Sequence, residues 1–520
     1  MSETESSSAL FSEFPAVDPE AWTAKVESET GRSPEAFLEW SSREGVTIPA
    51  YLRRDALDEA LHVNPDADPP PLAEAPTVPA NGWRLSQPLR HPDPNTANEH
   101  ARTAVAQGAQ ALDLLASPVS REQNLTVRTL EDLATVLDDI ALDETSLHLG
   151  RGLSAPVLYG GLRELLSARS LPPSTLQGSI GYDPVAALAT ALCPNPEAAF
   201  GLADALVADA EECPQLRSVT VDARVYHEAG ASAVQELAAI LSALTERLAR
   251  PPVPKDGLSP LLDNLQVIVP VSTSYFVAIA KLRALRLLVP QVVAAFAEEH
   301  PTDASFGPAD LKIRAETSRR TETIYDPYVN MLRATTEAMA AVLGGCDTLT
   351  VHAYDAALRP PDAFGLRIAR NTQHILRHES HLDQVADPAA GSYYIETLTD
   401  QLAQRAWSQF QAIEAEGGIV EALRNGTLQR RIAETRQDRR DAIEDRKHVL
   451  VGTTHYPAFD ERRREDLASP NAPSPNGPAH NRCDPLRPPG RGDAARDYVD
   501  SEQRPVGPRS PPPHPRGRGD

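Results

Sequence analysis

The stretch from Thr348 to Trp407 constrains the fold more than any other part of the chain. It opens on TLTVHAY (348–354), β-branched and apolar with few charges, as a buried strand is. A Pro-containing loop, Arg359 to Asp362, follows. Then comes a helical run with Leu366, Ala369, Thr372, Ile375 and Leu376 on one stripe. A turn signal at 386–392 leads into a long amphipathic helix. Strand, loop and helix in this order form the unit of a β/α protein, and the unit recurs. Strand-like runs lie at 111–116, 146–150, 176–181, 218–223, 265–273, 311–318 and 348–354, with a weaker one at 381–387. Helical runs such as DPVAALATALC, SAVQELAAILSALTERLAR and VNMLRATTEAMAAVLGG separate them. Eight such repeats predict a (β/α)₈ TIM barrel, an α/β fold. An open doubly wound sheet is the alternative, but no GxGxxG follows the first strand.

The flanks read differently. Residues 1–80 form an N-terminal arm with a Pro-rich connector from Pro65 to Pro79 that needs a surface to pack on, in this chain or a partner. The barrel is expected over 81–455. From 456 to 520 the sequence is rich in Pro, Gly and Arg without apolar periodicity, and a disordered tail is expected.

Charge and cysteine content narrow the function. A net charge of −23 argues against nucleic acid as a partner. The four cysteines form no CxxC pair and are too few for a disulfide framework. No run reaches the ~18 apolar residues of a membrane span. The acidic N-terminus lacks the apolar core of a secretory signal, so a cytoplasmic protein is expected.

Chemistry in such a barrel sits where strands hand over to loops. The candidates for the barrel mouth are His148, Gln177, Asp222, His227, Arg314, Glu316 and His352. His227, just past a strand, is a candidate acid or base, and Asp222 stands at the strand tip. Arg314 and Glu316 alternate on one strand, so both face the same way, and facing the interior they would pair with each other. His374, His378 and His381 share one face if helical. The string HILRHESH lacks a Glu after its first His, and no metal site is expected. Lys281 and Arg286 read as a solvated helix face, and Asp326-Pro327 as a helix start.

Several strings together resemble one family. QGSIGYDP (177–184), HEAGASAVQEL (227–237), IAKLRALR, RAETS, YDPYVNMLRATTEA, GGCDTLTVHAYDAAL and DPAAGSYYIETLTDQLAQRAW are similar to the barrel of adenosylcobalamin-dependent methylmalonyl-CoA mutases. The resemblance spans roughly 30–455. It implies a barrel whose axial channel takes acyl-CoA, under a corrin that starts a radical interconversion of methylmalonyl-CoA and succinyl-CoA.

Catalytic members carry RQYAGF near the first strand. The matching stretch here, GWRLSQPLRHPDP, puts Pro88 where their Tyr stands. They also read YHMQEAGA. Aligning the shared Glu228–Ala231 puts Arg224 and Val225 at that Tyr-His pair and displaces His227 by two positions. Neither Pro88 nor Val225 can donate to a thioester oxygen. Together with ESHL (379–382), these departures resemble the small, non-catalytic subunit of the bacterial heterodimer. The resemblance implies no catalytic residue in this chain and a catalytic large subunit as partner. It also implies adenosylcobalamin and acyl-CoA at the level of the complex. The family's cobalamin-binding domain is marked by DxHxxG, which this sequence lacks. The segment LVGTTHYPAF resembles the linker into that domain, so its loss or replacement, by a shifted reading frame for example, is expected. Two alternatives stand: a catalytic acyl-CoA mutase chain using a separate cobalamin protein, and an unrelated metal-dependent barrel enzyme.

Overall fold

The computed structural model describes residues 18–34, 40–42, 44–49, 51–58, 60, 62–63, 81–117, 124–250, 257–298 and 306–457. The predicted Pro-rich connector lies outside these residues, as does nearly all of the predicted tail.

The centre is a ring of parallel strands: β1 Arg84–Leu89, β2 Ala111–Leu114, β3 Ser146–Leu149, β4 Gln177–Ile180, a divided β5, β6 Leu265–Val271, β7 Lys312–Thr317 and β8 Thr348–Thr350. The last strand closes on the first through Thr348↔Arg84 and Thr350↔Ser86. Strand β5 is broken at Ser218. Its first part, Gln215–Arg217, pairs with β4, and its second, Val219–Asp222, pairs with β6. The Thr220 hydroxyl donates to the Ile180 carbonyl at 2.7 Å across the break. The barrel is thus nearly closed, with the ladder interrupted at the break in β5, and the α/β TIM barrel expected from the repeats is what the chain forms.

One strand assignment was wrong. The run at 381–387 is a series of turns, with Val385 about half exposed. The missing strand is β1, which contains Pro88. Proline removes a ladder donor and so masks a strand in sequence.

Asp/Asn–Pro pairs start four helices. Asp18, Asp93, Asp183 and Asn195 each accept from backbone N–H groups in the first turn, with Pro at the first helical position. Asp326-Pro327 does not do this. Helix Val329–Leu343 begins later, and Asp326 sits at φ 45°. Asn330 holds the preceding loop instead, bonding Thr323 through both backbone groups and also the Tyr354 carbonyl. A tertiary lock has displaced the local cap.

The outward residues of the strands pack on the surrounding helices in two large apolar clusters. Helix Tyr275–Ala297 runs deep in one of them, so Lys281 and Arg286 are buried and not solvated. Lys281 Nζ donates to Glu236 and to the Pro270 carbonyl, and Arg286 to Asp347 and three carbonyls. Part of the N-terminal arm packs on this same body. Val46 and Ile48 are fully buried in the main core, and His62 contacts Glu396 of helix Tyr393–Ala415.

Candidate functional site

The alternation of side chains along the strands decides what fills the barrel. Leu85, Leu112, Leu147, Ile180, Val221, Val267, Ile313 and Leu349 belong to the outer clusters. Their neighbours therefore face the bore: Ser86 and Pro88, Asp113, His148, Ser179, Asp222, Ile268, Arg314 and Glu316, and Thr350. The interior is charged and filled. Arg314, on β7, pairs with Asp113, on β2, across the ring. Arg224 forks onto Asp222 through Nε and Nη2 at 2.8 Å, and its Nη1 lies 3.5 Å from Glu316. His352 Nε2 lies 3.9 Å from Glu316, beyond hydrogen-bond length. His148 Nδ1 shares a 2.8 Å hydrogen bond with Ser179 Oγ. Arg224 and Arg314 are 1% and 2% exposed.

The electrostatics follow from this packing. Burial works against the Asp222 and Glu316 carboxylates, but the Arg224 guanidinium overrides it and holds both below the usual carboxylate range. Burial, reinforced by Arg314, Arg84 and Arg224, keeps His148 well below its ordinary value. His148 is therefore neutral at pH 7.

The sequence-predicted residues divide into three groups. His148, Asp222, Arg314, Glu316 and His352 do converge on the bore and its C-terminal end. Gln177 does not. It begins β4 at the opposite end of the barrel and donates to the Asp143 carbonyl. Arg314 and Glu316 face inward together as expected, but they do not pair with each other. Arg314 finds its partner on another strand and Glu316 finds its partner in Arg224, at the start of a short helix. His227 is sealed inside a chain of polar contacts. Its Nδ1 meets Glu236 at 2.6 Å and its Nε2 meets Ser318 Oγ at 2.7 Å, on the short helix Arg224–Ala229. Burial, and then the charge of Arg320, push His227 down to about 4. His227, Ser318 and Glu236 are 1–2% exposed, so this triad-like set holds helix to strand and meets no solvent.

The three histidines at 374–381 do not share a helical face. Helix Ala363–His374 gives way to a π-turn at Ile375–Glu379, and His381 adopts φ 54°. His374 and His378 stack at 5.7 Å, and His374 Nε2 bonds the Gln107 carbonyl. Among the described residues no three His, Cys, Asp or Glu side chains gather as a metal site.

A cavity of about 860 Å³ opens at the barrel mouth. Its inner end is formed by Arg90, Arg151, Asp222, Val225, Glu228 and Arg319. Its outer wall is formed by helices Leu130–Val136 and Ser154–Ala168. Arg151 pairs with Glu228 at 3.0 Å. Asp183, at the inner wall, accepts from Asp222 N, Val185 N and Ala186 N, and burial pushes its carboxyl up to about 7. Sequence reading missed Arg90, Arg151, Asp183 and Arg319. An Asp-Pro helix start signals Asp183, but nothing local marks the arginines.

The residues present do not fit an adenosylcobalamin-dependent radical site. Pro88 and Val225 offer no donor at the two positions where the resemblance calls for Tyr and His. Arg224, in the place of the second Tyr, is committed to Asp222 and Glu316.

The sequence matches the family described as Methylmalonyl-CoA mutase over residues 75–476. It is 35% identical over 481 residues to the methylmalonyl-CoA mutase small subunit of Streptomyces virginiae, covering 89% of this chain and 74% of that one. The corresponding small subunit of Porphyromonas gingivalis is 31% identical, with 87% and 72% covered. A methylmalonyl-CoA mutase of Rhizobium meliloti is 30% identical, with 87% and 65% covered.

Proposed function

The chain belongs to the methylmalonyl-CoA mutase family, and from that premise we propose that it is the non-catalytic small subunit of a heterodimeric, cytoplasmic mutase. Its partner is a catalytic large subunit, which binds adenosylcobalamin and acyl-CoA and interconverts methylmalonyl-CoA and succinyl-CoA. The cofactor supplies radical initiation in that partner, and no step runs through this chain.

The observation that carries the reading is the filled bore. An acyl-CoA lying along the axis needs a channel lined by small side chains. Here Arg224, Glu316, Arg314 and Asp113 occupy the axis and are paired across it. Opening the bore would leave buried charges without partners, which is strongly unfavourable. Pro88 and Val225 support the same conclusion from the chemistry of donors. The small-subunit names of the relatives agree with it. Helix Pro19–Thr30 has no buried residue and is suited to lie on a partner.

Co-expression with the large subunit followed by size-exclusion chromatography tests the partnership, and a 1:1 complex is expected. Equilibrium dialysis of the isolated chain against adenosylcobalamin and against methylmalonyl-CoA tests the rest. Binding of either at micromolar concentration by this chain alone would overturn the reading.

A further inference from the structure

Among the described residues, the Arg90 guanidinium is a buried cation without a hydrogen-bonding or ion-pairing partner. It follows β1 and projects into the inner end of the mouth cavity. It is only 8% exposed, and its Nε has no hydrogen-bond partner. Its neighbours are treated differently. Arg224 is forked onto Asp222, Arg314 pairs with Asp113, and Arg151 pairs with Glu228. Burial, then the charge of Arg319, lower the Arg90 guanidinium to about 9. A mostly buried cation without a protein partner is costly, and a fold that pairs the neighbouring arginines has a place here for an external anion.

We propose that the mouth cavity binds an amphipathic monocarboxylate, with its carboxylate on Arg90 and its hydrocarbon chain along the apolar outer wall. A planar carboxylate matches the two-pronged guanidinium. A phosphate dianion matches the site less well, because Asp222, Glu228 and Glu164 also line the cavity and repel a second negative charge. The hydrocarbon chain has Leu115, Val127, Leu133, Leu153 and Leu158 to lie against. The volume of about 860 Å³ falls in the range of small-molecule sites. The site does not depend on the subunit assignment, since it uses neither the axial bore nor a cofactor.

Calorimetric titration of the full chain with octanoate, octyl phosphate and octanol tests the site. Octanoate is expected to saturate one site, with octanol at least about tenfold weaker because it cannot pair with the guanidinium. Arg90→Met should abolish octanoate binding while leaving the ligand-free Tm unchanged or higher, since it removes an unpaired buried charge. A purely structural Arg90 would lower that Tm. Leu153→Glu places a carboxylate on the half-exposed apolar wall and should weaken octanoate by at least about tenfold. It decides the matter should Arg90→Met fail to fold. Three results would overturn the proposal: no saturable octanoate binding, octanol binding as tightly as octanoate, or unchanged affinity in the variant that folds. Tighter binding of octyl phosphate than of octanoate would overturn the carboxylate assignment.

Discussion

Replacing Arg314 by Met should destabilise the barrel far more than replacing Arg314 and Asp113 together. Asp113 is fully buried and Arg314 is 2% exposed, so the single change strands a carboxylate in the bore. Removing one partner of a buried ion pair costs about 3–5 kcal/mol. For an ordered body of roughly 400 residues this lowers Tm by about 4–6 °C. The pair is incompletely satisfied even in the native protein. Asp113 Oδ1 and Arg314 Nε and Nη1 have no hydrogen-bond partner. Apolar replacement of both residues, Asp113→Leu with Arg314→Met, therefore removes two desolvated charges at once. It should bring stability back to within about 1 kcal/mol of the wild type or above it. Scanning calorimetry of the wild type, both single variants and the double variant completes the cycle. A single-variant Tm within about 1 °C of the wild type would refute the premise that the bore is dry and charge-paired. So would a double variant whose loss equals the sum of the two singles.

Three further outcomes follow from the same structure. Burial works against protonation of His62, but Asp400 and Glu396 override it and raise its pKa above 6.5. The stability it contributes is complete below the unfolded value and is lost as pH rises through the raised one. Limited proteolysis should thus cut the arm faster at pH 8.5 than at pH 6, and His62→Gln should remove that difference. Gly178 sits at φ +119°, and a Cβ there would lie 2.0 Å from the Leu147 carbonyl oxygen. Gly178→Ala should cost at least about 3 kcal/mol, seen as a lower Tm or loss of soluble protein, because neither backbone can yield. Burial raises the Asp183 carboxyl to about 7, above its unfolded value. The benefit of its neutral form is complete at acid pH and lost as pH rises toward 7. Asp183→Asn should accordingly gain Tm relative to the wild type between pH 5 and pH 8. An unchanged difference across that range would contradict the assigned burial.

Much of this fold was legible because its strands are apolar runs between strongly periodic helices. Seven of the eight barrel strands lie in those runs. The first strand was not legible, because Pro88 interrupts it and charges and turn residues follow. Local rules also failed at Asp326, where side-chain bonds from Asn330 outweigh a good cap. The inward direction of Arg314 and Glu316 was readable from alternation alone. Their partners were not, because Asp113 is 201 positions away from Arg314 in the chain. The mouth arginines share this difficulty. What distinguishes Arg90 is its lack of a partner among the described residues, and that is visible only once every strand is in place.

The most direct test of the non-catalytic reading is a mutase assay with adenosylcobalamin and methylmalonyl-CoA. It is run on the purified chain alone, on the large subunit alone and on the two together. No succinyl-CoA is expected from this chain alone, and full turnover is expected when both are present. Turnover by this chain without a large subunit would contradict the account.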